Sequence, residues 1–331
     1  MSPLKQKSYV VQGVQVNLSV EDRLSFLVSN YFQPLHQGEQ VRGLNPINFE
    51  ICLIKDLPLV PPDSAKVISS PLVTIYRNGE KIYFSSKSGS TICLDPIIRK
   101  AKGFFKEEII RNPGDFSSLL GSSLVEVLKY YGLYFLHAAA ACVNKVACLV
   151  SGDGGCGKTT IALGLVREGF HYVSDDSLFL ENSDGEIIVS PMYKHFHVDQ
   201  ELANRFPEIS RGKTLKIPEG TKAPLDVSSF FPDSFIPSLR PDAIIFPRVT
   251  SNGTSMLNQL PQTESYRRLL KQTVLAVDNN VSRDQLRILE KLVKQTRGFE
   301  LLSGRDIYED PKILIGLMNG VNHWNEHNKE S

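Results

Sequence analysis

The sequence predicts an α/β fold in two parts: a smaller strand-rich N-terminal domain over residues 1–114 and an α/β domain over residues 115–331. Three observations carry this. Early segments such as Ser8–Val11, Val14–Val16 and Val73–Phe84 alternate apolar and polar side chains with the period of two that a half-buried strand requires. From Asp115 the apolar positions change to helical spacing. A glycine-rich loop, Gly152–Thr159, then stands between an apolar strand and a helix.

The elements follow in order. Ser8–Val11 and Val14–Val16 read as strands on either side of Gly13. Val73–Tyr76 and Lys81–Phe84 read as a hairpin with Asn78-Gly79 at the centre of its turn, because Asn-Gly accepts the positive φ that a tight turn demands. Pro58, Pro61 and Pro62 mark a loop. After the turn Asn112-Pro113-Gly114, which sets the domain boundary, Phe116, Leu119, Leu120, Leu124, Val127 and Leu128 fall on one helical face. Leu136–Val143 and Val146–Ser151 are separated only by Asn144-Lys145, the spacing of a tight hairpin. That hairpin pairs Val143 with Val146, and the same register puts His137 opposite Gly152.

Charge and cysteine content exclude several classes of function. Lys and Arg number 37 against 36 Asp and Glu, so no overall field draws the chain to nucleic acid or to an anionic membrane. The five cysteines are scattered and never spaced C-x-x-C, which is neither a disulfide framework nor a zinc knuckle and fits a reducing cytosol. The first residues lack the apolar core of a signal peptide. The apolar run around Tyr131–Ala141 is too short to cross a bilayer. The expectation is a cytoplasmic chain without nucleic-acid or membrane partners, with homo-oligomerisation left open.

Gly152-Asp153-Gly154-Gly155-Cys156-Gly157-Lys158-Thr159 satisfies every fixed position of G-x-x-x-x-G-K-[ST]. Glycines let successive backbone N–H groups turn inward around phosphate oxygens. Lys158 supplies a compact charge to the outer phosphates, and the Thr159 hydroxyl is suited to magnesium. The context agrees. Ala147–Val150 leads in as a strand, and the helix from Thr160 to Glu168 buries Ile161, Leu165 and Val166 before Gly169 ends it. ATP and Mg2+ are therefore the expected ligands, with Thr160 at the start of the helix among the nucleotide contacts. A further strand, Phe170–Ser174, ends in Asp175-Asp176. Two carboxylates beside a triphosphate can divide the work, one holding metal and one accepting a hydroxyl proton. His137, if opposite Gly152, stands close enough to hydrogen-bond one of them.

Residues 136–176, LHAAAACVNKVACLVSGDGGCGKTTIALGLVREGFHYVSDD, resemble the HPr kinase/phosphorylase family, which is related to the phosphate-loop fold of phosphoenolpyruvate carboxykinase. The shared features are a histidine, a G-D-x-G-x-G-K loop, a short helix and a strand closing on a double aspartate. The resemblance implies a mixed-sheet kinase core. It implies transfer of the ATP γ-phosphoryl group to a serine hydroxyl of a protein, peptide or small molecule. Lys158 then binds phosphate, Thr159 and Asp176 bind metal, Asp175 is the catalytic base and His137 its partner. Gly298–Met318 also looks like the end of related proteins. The R-G-x-G segment of HPr kinase proper is missing, with Arg211-Gly212-Lys213 as the nearest match. Two other readings accompany this one: a nucleotide-dependent switch that hydrolyses ATP slowly, and a phosphorylase running the reaction backwards.

Remaining features have weaker chemistry. His323-Trp324-Asn325-Glu326-His327 spells a zinc-peptidase pattern without a third ligand. His195 and His197 share one face of a short strand, which is too few ligands for a metal and reads instead as a strand near the substrate edge. Arg248, following the apolar run Ala243–Pro247, and Arg211, in a basic segment with Lys213 and Lys216, are candidate phosphate or substrate contacts. Cys156, inside the loop, is expected to be a thiol whose alkylation blocks nucleotide binding.

Overall fold

The computed structural model describes residues 4–38, 42–43, 45–55, 60–143, 146–210, 217–218, 220–251, 253–310 and 312–318. Arg211, the basic segment around it, the Asn144-Lys145 turn and the His323–His327 pattern lie outside these residues. The chain is a mixed α/β protein. It forms two compact units, one containing the chain up to Tyr134 together with Leu275–Gln285, the other containing Phe135–Val274 and the chain from Leu286.

The first unit begins with β1 (Leu4–Val11) and β2 (Val14–Glu21), whose two-residue turn carries positive φ at both Gln12 and Gly13. Two positive φ values in succession give the turn a twist that matches the paired strands. After α1 (Ser25–Phe32) come β3 (Ile47–Leu53), β4 (Ala65–Ser69), β5 (Val73–Asn78), β6 (Lys81–Ser86), β7 (Thr91–Asp95) and β8 (Lys100–Phe105). They form one eight-stranded sheet in the order β1-β2-β3-β8-β7-β6-β5-β4. The pairs β2–β3 and β3–β8 are parallel and the others antiparallel. Val16, Leu18, Ile47, Phe49 and Phe84 alternate onto the buried face.

Two expectations change here. The β5–β6 turn is centred on Gly79-Glu80, since Asn78 pairs with Lys81; Gly79 takes the positive φ and its carbonyl accepts a bond from Arg77 Nε at 2.9 Å. The division of the chain falls after Tyr134, not at Gly114. The helix α2 (Pro113–Leu128) belongs with the first sheet, because Phe116 packs on Phe105 with ring centroids 5.1 Å apart and the helix lies against β5, β6 and β7.

The second unit contains β9 (Tyr134–Val143, all but its first residue), β10 (Val146–Ser151), α3 (Lys158–Arg167), β11 (His171–Ser174), β12 (Ser177–Ser183), β13 (Glu186–Pro191) and β14 (Phe196–Val198). Beyond these lie α4 (Gln200–Arg205), α5 (Pro207–Ser210), β15 (Ala223–Leu225), β16 (Ala243–Val249), β17 (Met256–Leu260) and α6 (Gln262–Leu270). The helix α7 (Asn279–Gln295) contributes residues to both units, and β18 (Arg297–Ser303) and α8 (Asp306–Glu309) follow.

The main sheet is ordered β13-β12-β9-β10-β16-β18-β17, with β11 also on β9. The strands β10, β16 and β18 are parallel, while β9 and β17 are antiparallel to their neighbours. Every residue of β10 is buried. Ile161, Leu165 and Val166 of α3 join Cys148 and Val150 in one apolar cluster. The carboxyl ends of β10, β16 and β18 therefore share an edge, and antiparallel pairing brings the start of β9 to the same edge. Open α/β sheets bind ligands at such an edge. Among the described residues no helix is long and apolar enough to cross a membrane, and none of the five cysteines forms a disulfide.

Candidate active site

The glycine-rich loop leaves the end of β10. Gly155 and Gly157 have φ of +80° and +96°, a region that side chains with a Cβ rarely enter. A Cβ on Gly152 would stand 3.0 Å from Cys156 Sγ. Lys158 Nζ donates to the carbonyls of Gly152 (2.8 Å) and Asp153 (3.1 Å), holding the loop folded around its own lysine. Gln272 adds a second tie. Its Nε2 donates to Asp153 Oδ1 at 2.8 Å, while its main-chain carbonyl accepts from the His137 N–H at 2.8 Å. The helix α3 starts at Lys158 and no side chain caps it. The N–H groups of its first turn have no intrahelical acceptor, and the helix dipole favours an anion there.

The β9–β10 ladder runs from Val143↔Val146 to Ala138↔Ser151, the register expected from the spacing, with His137 next beyond the last pair. The double aspartate occupies a tight bend between β11 and β12. Ser174 Oγ accepts from the N–H groups of Asp176 (3.4 Å) and Ser177 (3.3 Å) and donates to the Ser177 carbonyl. This bend gives the two carboxylates different surroundings. Asp175 is 1% exposed; its Oδ2 accepts from the His197 N–H at 2.9 Å and from Thr159 Oγ1 at 3.4 Å. Burial pushes its carboxyl up to about 7, partly opposed by the His197 amide. The Asp176 side chain is 35% exposed, and its Oδ1 lies 3.1 Å from His137 Nδ1. Ser177 Oγ donates to its other oxygen at 3.3 Å. Burial holds the His137 imidazole below its ordinary range despite the pull of Asp176. The histidine that the resemblance pairs with Asp175 is thus bonded to Asp176.

Of these groups, His137, Lys158, Thr159 and Asp176 line a cleft of about 720 Å³, while the buried Asp175 is not part of its lining. Gly154, Gly155 and Gly157–Thr160 form its floor, and His137 and Asp176 form one wall with His197 and Lys222. The opposite wall comes from the ends of β16 and β18, with Thr250, Ser303 and Arg305. Ser255 pins that second wall: its N–H and hydroxyl both bond to Asp306, and its Oγ accepts from the Gly304 N–H. Arg248 faces elsewhere. It is 62% exposed, approaches Glu300 at 3.5 Å, and lines a second cavity of about 410 Å³ behind the loop with Arg268 and Lys271.

Three cleft or support residues, Lys222, Gln272 and Arg305, were not singled out in the sequence, and His197 was singled out only as half of an incomplete metal pair. His197 sits on a strand of three residues, and its link to Asp175 runs through the backbone N–H, which carries no side-chain signature. Lys222, Gln272 and Arg305 reach the site only through tertiary folding. His195, flagged together with His197, has a buried Nδ1 without a hydrogen-bond partner.

Magnesium fits the donor set. Thr159, Asp175 and Asp176 offer hard oxygen atoms beside the loop, and the Thr159 and Asp175 oxygens are already 3.4 Å apart. Among the described residues no cluster of three or more His, Cys, Asp or Glu side chains forms an all-protein metal cage. Mg2+ needs no such cage, since one or two carboxylates plus substrate phosphates and water complete its octahedron.

No protein-family model and no curated protein matches the chain. Among solved structures it is similar to the Hpr(Ser) kinase/phosphatase from Coxiella burnetii, at 14% identity and a TM-score of 0.33, over 58% of this chain and 98% of that one.

Proposed function

We propose that the chain is an ATP-dependent kinase that transfers the γ-phosphoryl group to an acceptor hydroxyl, with the serine-type hydroxyl implied by the sequence resemblance as the expected acceptor. One observation carries this reading: the Asp176–His137 pair opens on the same cleft as the glycine-rich loop and Lys158. A switch that only hydrolyses nucleotide slowly has no use for a base aimed at an acceptor.

In this reading the loop amides and Lys158 hold the phosphates, and Thr159 with Asp175 holds magnesium, which supplies charge neutralisation at the transferred phosphoryl group. Asp176 accepts the hydroxyl proton, and His137 orients it. A bond forms from the acceptor oxygen to the γ-phosphorus, the bond to the β–γ bridging oxygen breaks, and ADP leaves with that electron pair. The roles of the two aspartates are the reverse of those implied by the resemblance. The reversal is supported by exposure: a carboxylate 1% exposed beside Thr159 suits a metal, and the partly exposed one beside His137 suits a mobile proton.

The test separates the two. Asp176→Asn should lower phosphoryl transfer about 10²–10⁴-fold, the range of general-base catalysis, with Mg·ATP affinity little changed. Asp175→Asn should weaken magnesium-dependent nucleotide binding. Calorimetry with and without Mg2+, alongside transfer of labelled phosphate, reads both. If Asp175→Asn spares binding and abolishes transfer, the assignment reverts to Asp175 as base.

A further inference from the structure

We infer that the acceptor is a small hydroxy acid whose anionic group is held by Lys222 and His197; this rests on the kinase reading above. The wall of the cleft around Asp176 contains several charged side chains, and nearly all are committed. Asp176 is bonded to His137. Asp199 Oδ1 accepts from the Leu202 N–H at 2.8 Å as the cap of α4. Glu201 and Arg205 pair at 2.6 Å. Among the described residues on this wall, the Lys222 ammonium makes no hydrogen bond or ion pair. Besides electrostatic interaction with Asp176, Lys222 and His195, the His197 imidazole has an edge contact with the Tyr193 ring, centroids 5.7 Å apart.

An exposed ammonium and an imidazole, neither with a side-chain hydrogen-bond partner, on a polar wall match one ligand chemistry, a carboxylate or phosphate oxygen. Their position sets the size of the ligand. Lys222 immediately precedes β15, whose Pro224 pairs with His197 of β14, and both side chains line this cleft. The His197 N–H is itself bonded to Asp175, the neighbour of Asp176. The His197 imidazole is close enough to Asp176 for their charges to interact, so an anionic group held there lies near the carboxylate that takes the proton, which suits an acceptor whose two ends are a few bonds apart. A free hydroxy acid meets this condition. A serine inside a peptide does not, because its own carboxyl is tied up in an amide.

The test uses the full chain loaded with magnesium and the non-hydrolysable imido analogue of ATP. Calorimetric titrations compare glycolate, L-lactate, D-glycerate and L-serine with the neutral glycolamide, lactamide, glycerol and an N-acetylserine amide. We expect at least one acid to bind roughly tenfold or more tighter than its neutral counterpart, the scale of a charge-assisted hydrogen bond. Lys222→Met should abolish that preference with analogue affinity held within about twofold. The inference falls if no acid binds the loaded chain, or if the neutral serine amide binds as tightly as the acids. It also falls if Lys222→Met weakens the analogue tenfold and leaves the acid preference intact, which assigns Lys222 to the nucleotide. Failure of the wild-type chain to bind the analogue at all overturns the kinase reading itself.

Discussion

At the scale of single residues, neighbours in sequence behave as different chemical species. Asp175 and Asp176 are adjacent, yet a serine-bonded bend gives one a buried setting beside Thr159 and the other an imidazole partner. Cys156 shows a related effect. It lies in the loop, its Sγ close to Gly152, and burial pushes its thiol above the ordinary range, outweighing the nearby Lys158. Only the thiolate is nucleophilic, so alkylation of Cys156 by iodoacetamide should be slow at pH 7 and climb steadily as pH rises toward and past 9. Mg·ATP should suppress it at every pH. Peptide mapping by mass spectrometry follows the modification, and labelling that is independent of pH or of nucleotide would contradict both the burial and the site.

At the scale of elements, legibility tracked the range of the interactions. The β9–β10 register was readable because a two-residue turn leaves one pairing, and the bend of the glycine-rich loop because Gly155 and Gly157 accept positive φ. The same reasoning missed what α2 packs against. Its apolar face was evident, but nothing local says that Phe116 meets Phe105 of the preceding sheet. A charged pair hides in that helix too. Glu126 and the following Lys129 are fully buried and bonded at 2.7 Å, and the other Glu126 oxygen accepts from the Val277 N–H at 2.8 Å. Burial holds the Lys129 ammonium below its ordinary value, against the pull of Glu126. Glu126→Ala should therefore destabilise the protein by about 3–5 kcal/mol, because it strands a buried cation. Replacing both, as Glu126→Gln with Lys129→Met, should recover most of that loss. Urea denaturation measures the two, and equal costs for the single and double variants would refute the pairing argument.

At the scale of the whole molecule, the chain is not two consecutive beads. Residues 275–285 return to the first unit after most of the second has been made, so no single cut separates the units. A fragment ending at Gly114 would leave the sheet without α2, with Phe105, Phe84 and Leu94 uncovered. Residues 1–114 alone should give a broad, non-cooperative thermal transition by circular dichroism and bind a hydrophobic dye; a sharp transition would show that α2 is dispensable. The intact chain hides another dependence. Gln272 lies outside every motif, just past α6, yet its side chain fastens Asp153 and its backbone fastens His137. The spacing between the glycine-rich loop and the His137–Asp176 pair is thus tied to a residue that no motif search would protect. Anyone diversifying this scaffold by sparing only the residues that line the cleft would loosen its calibration unknowingly, and position 272 belongs among those held constant.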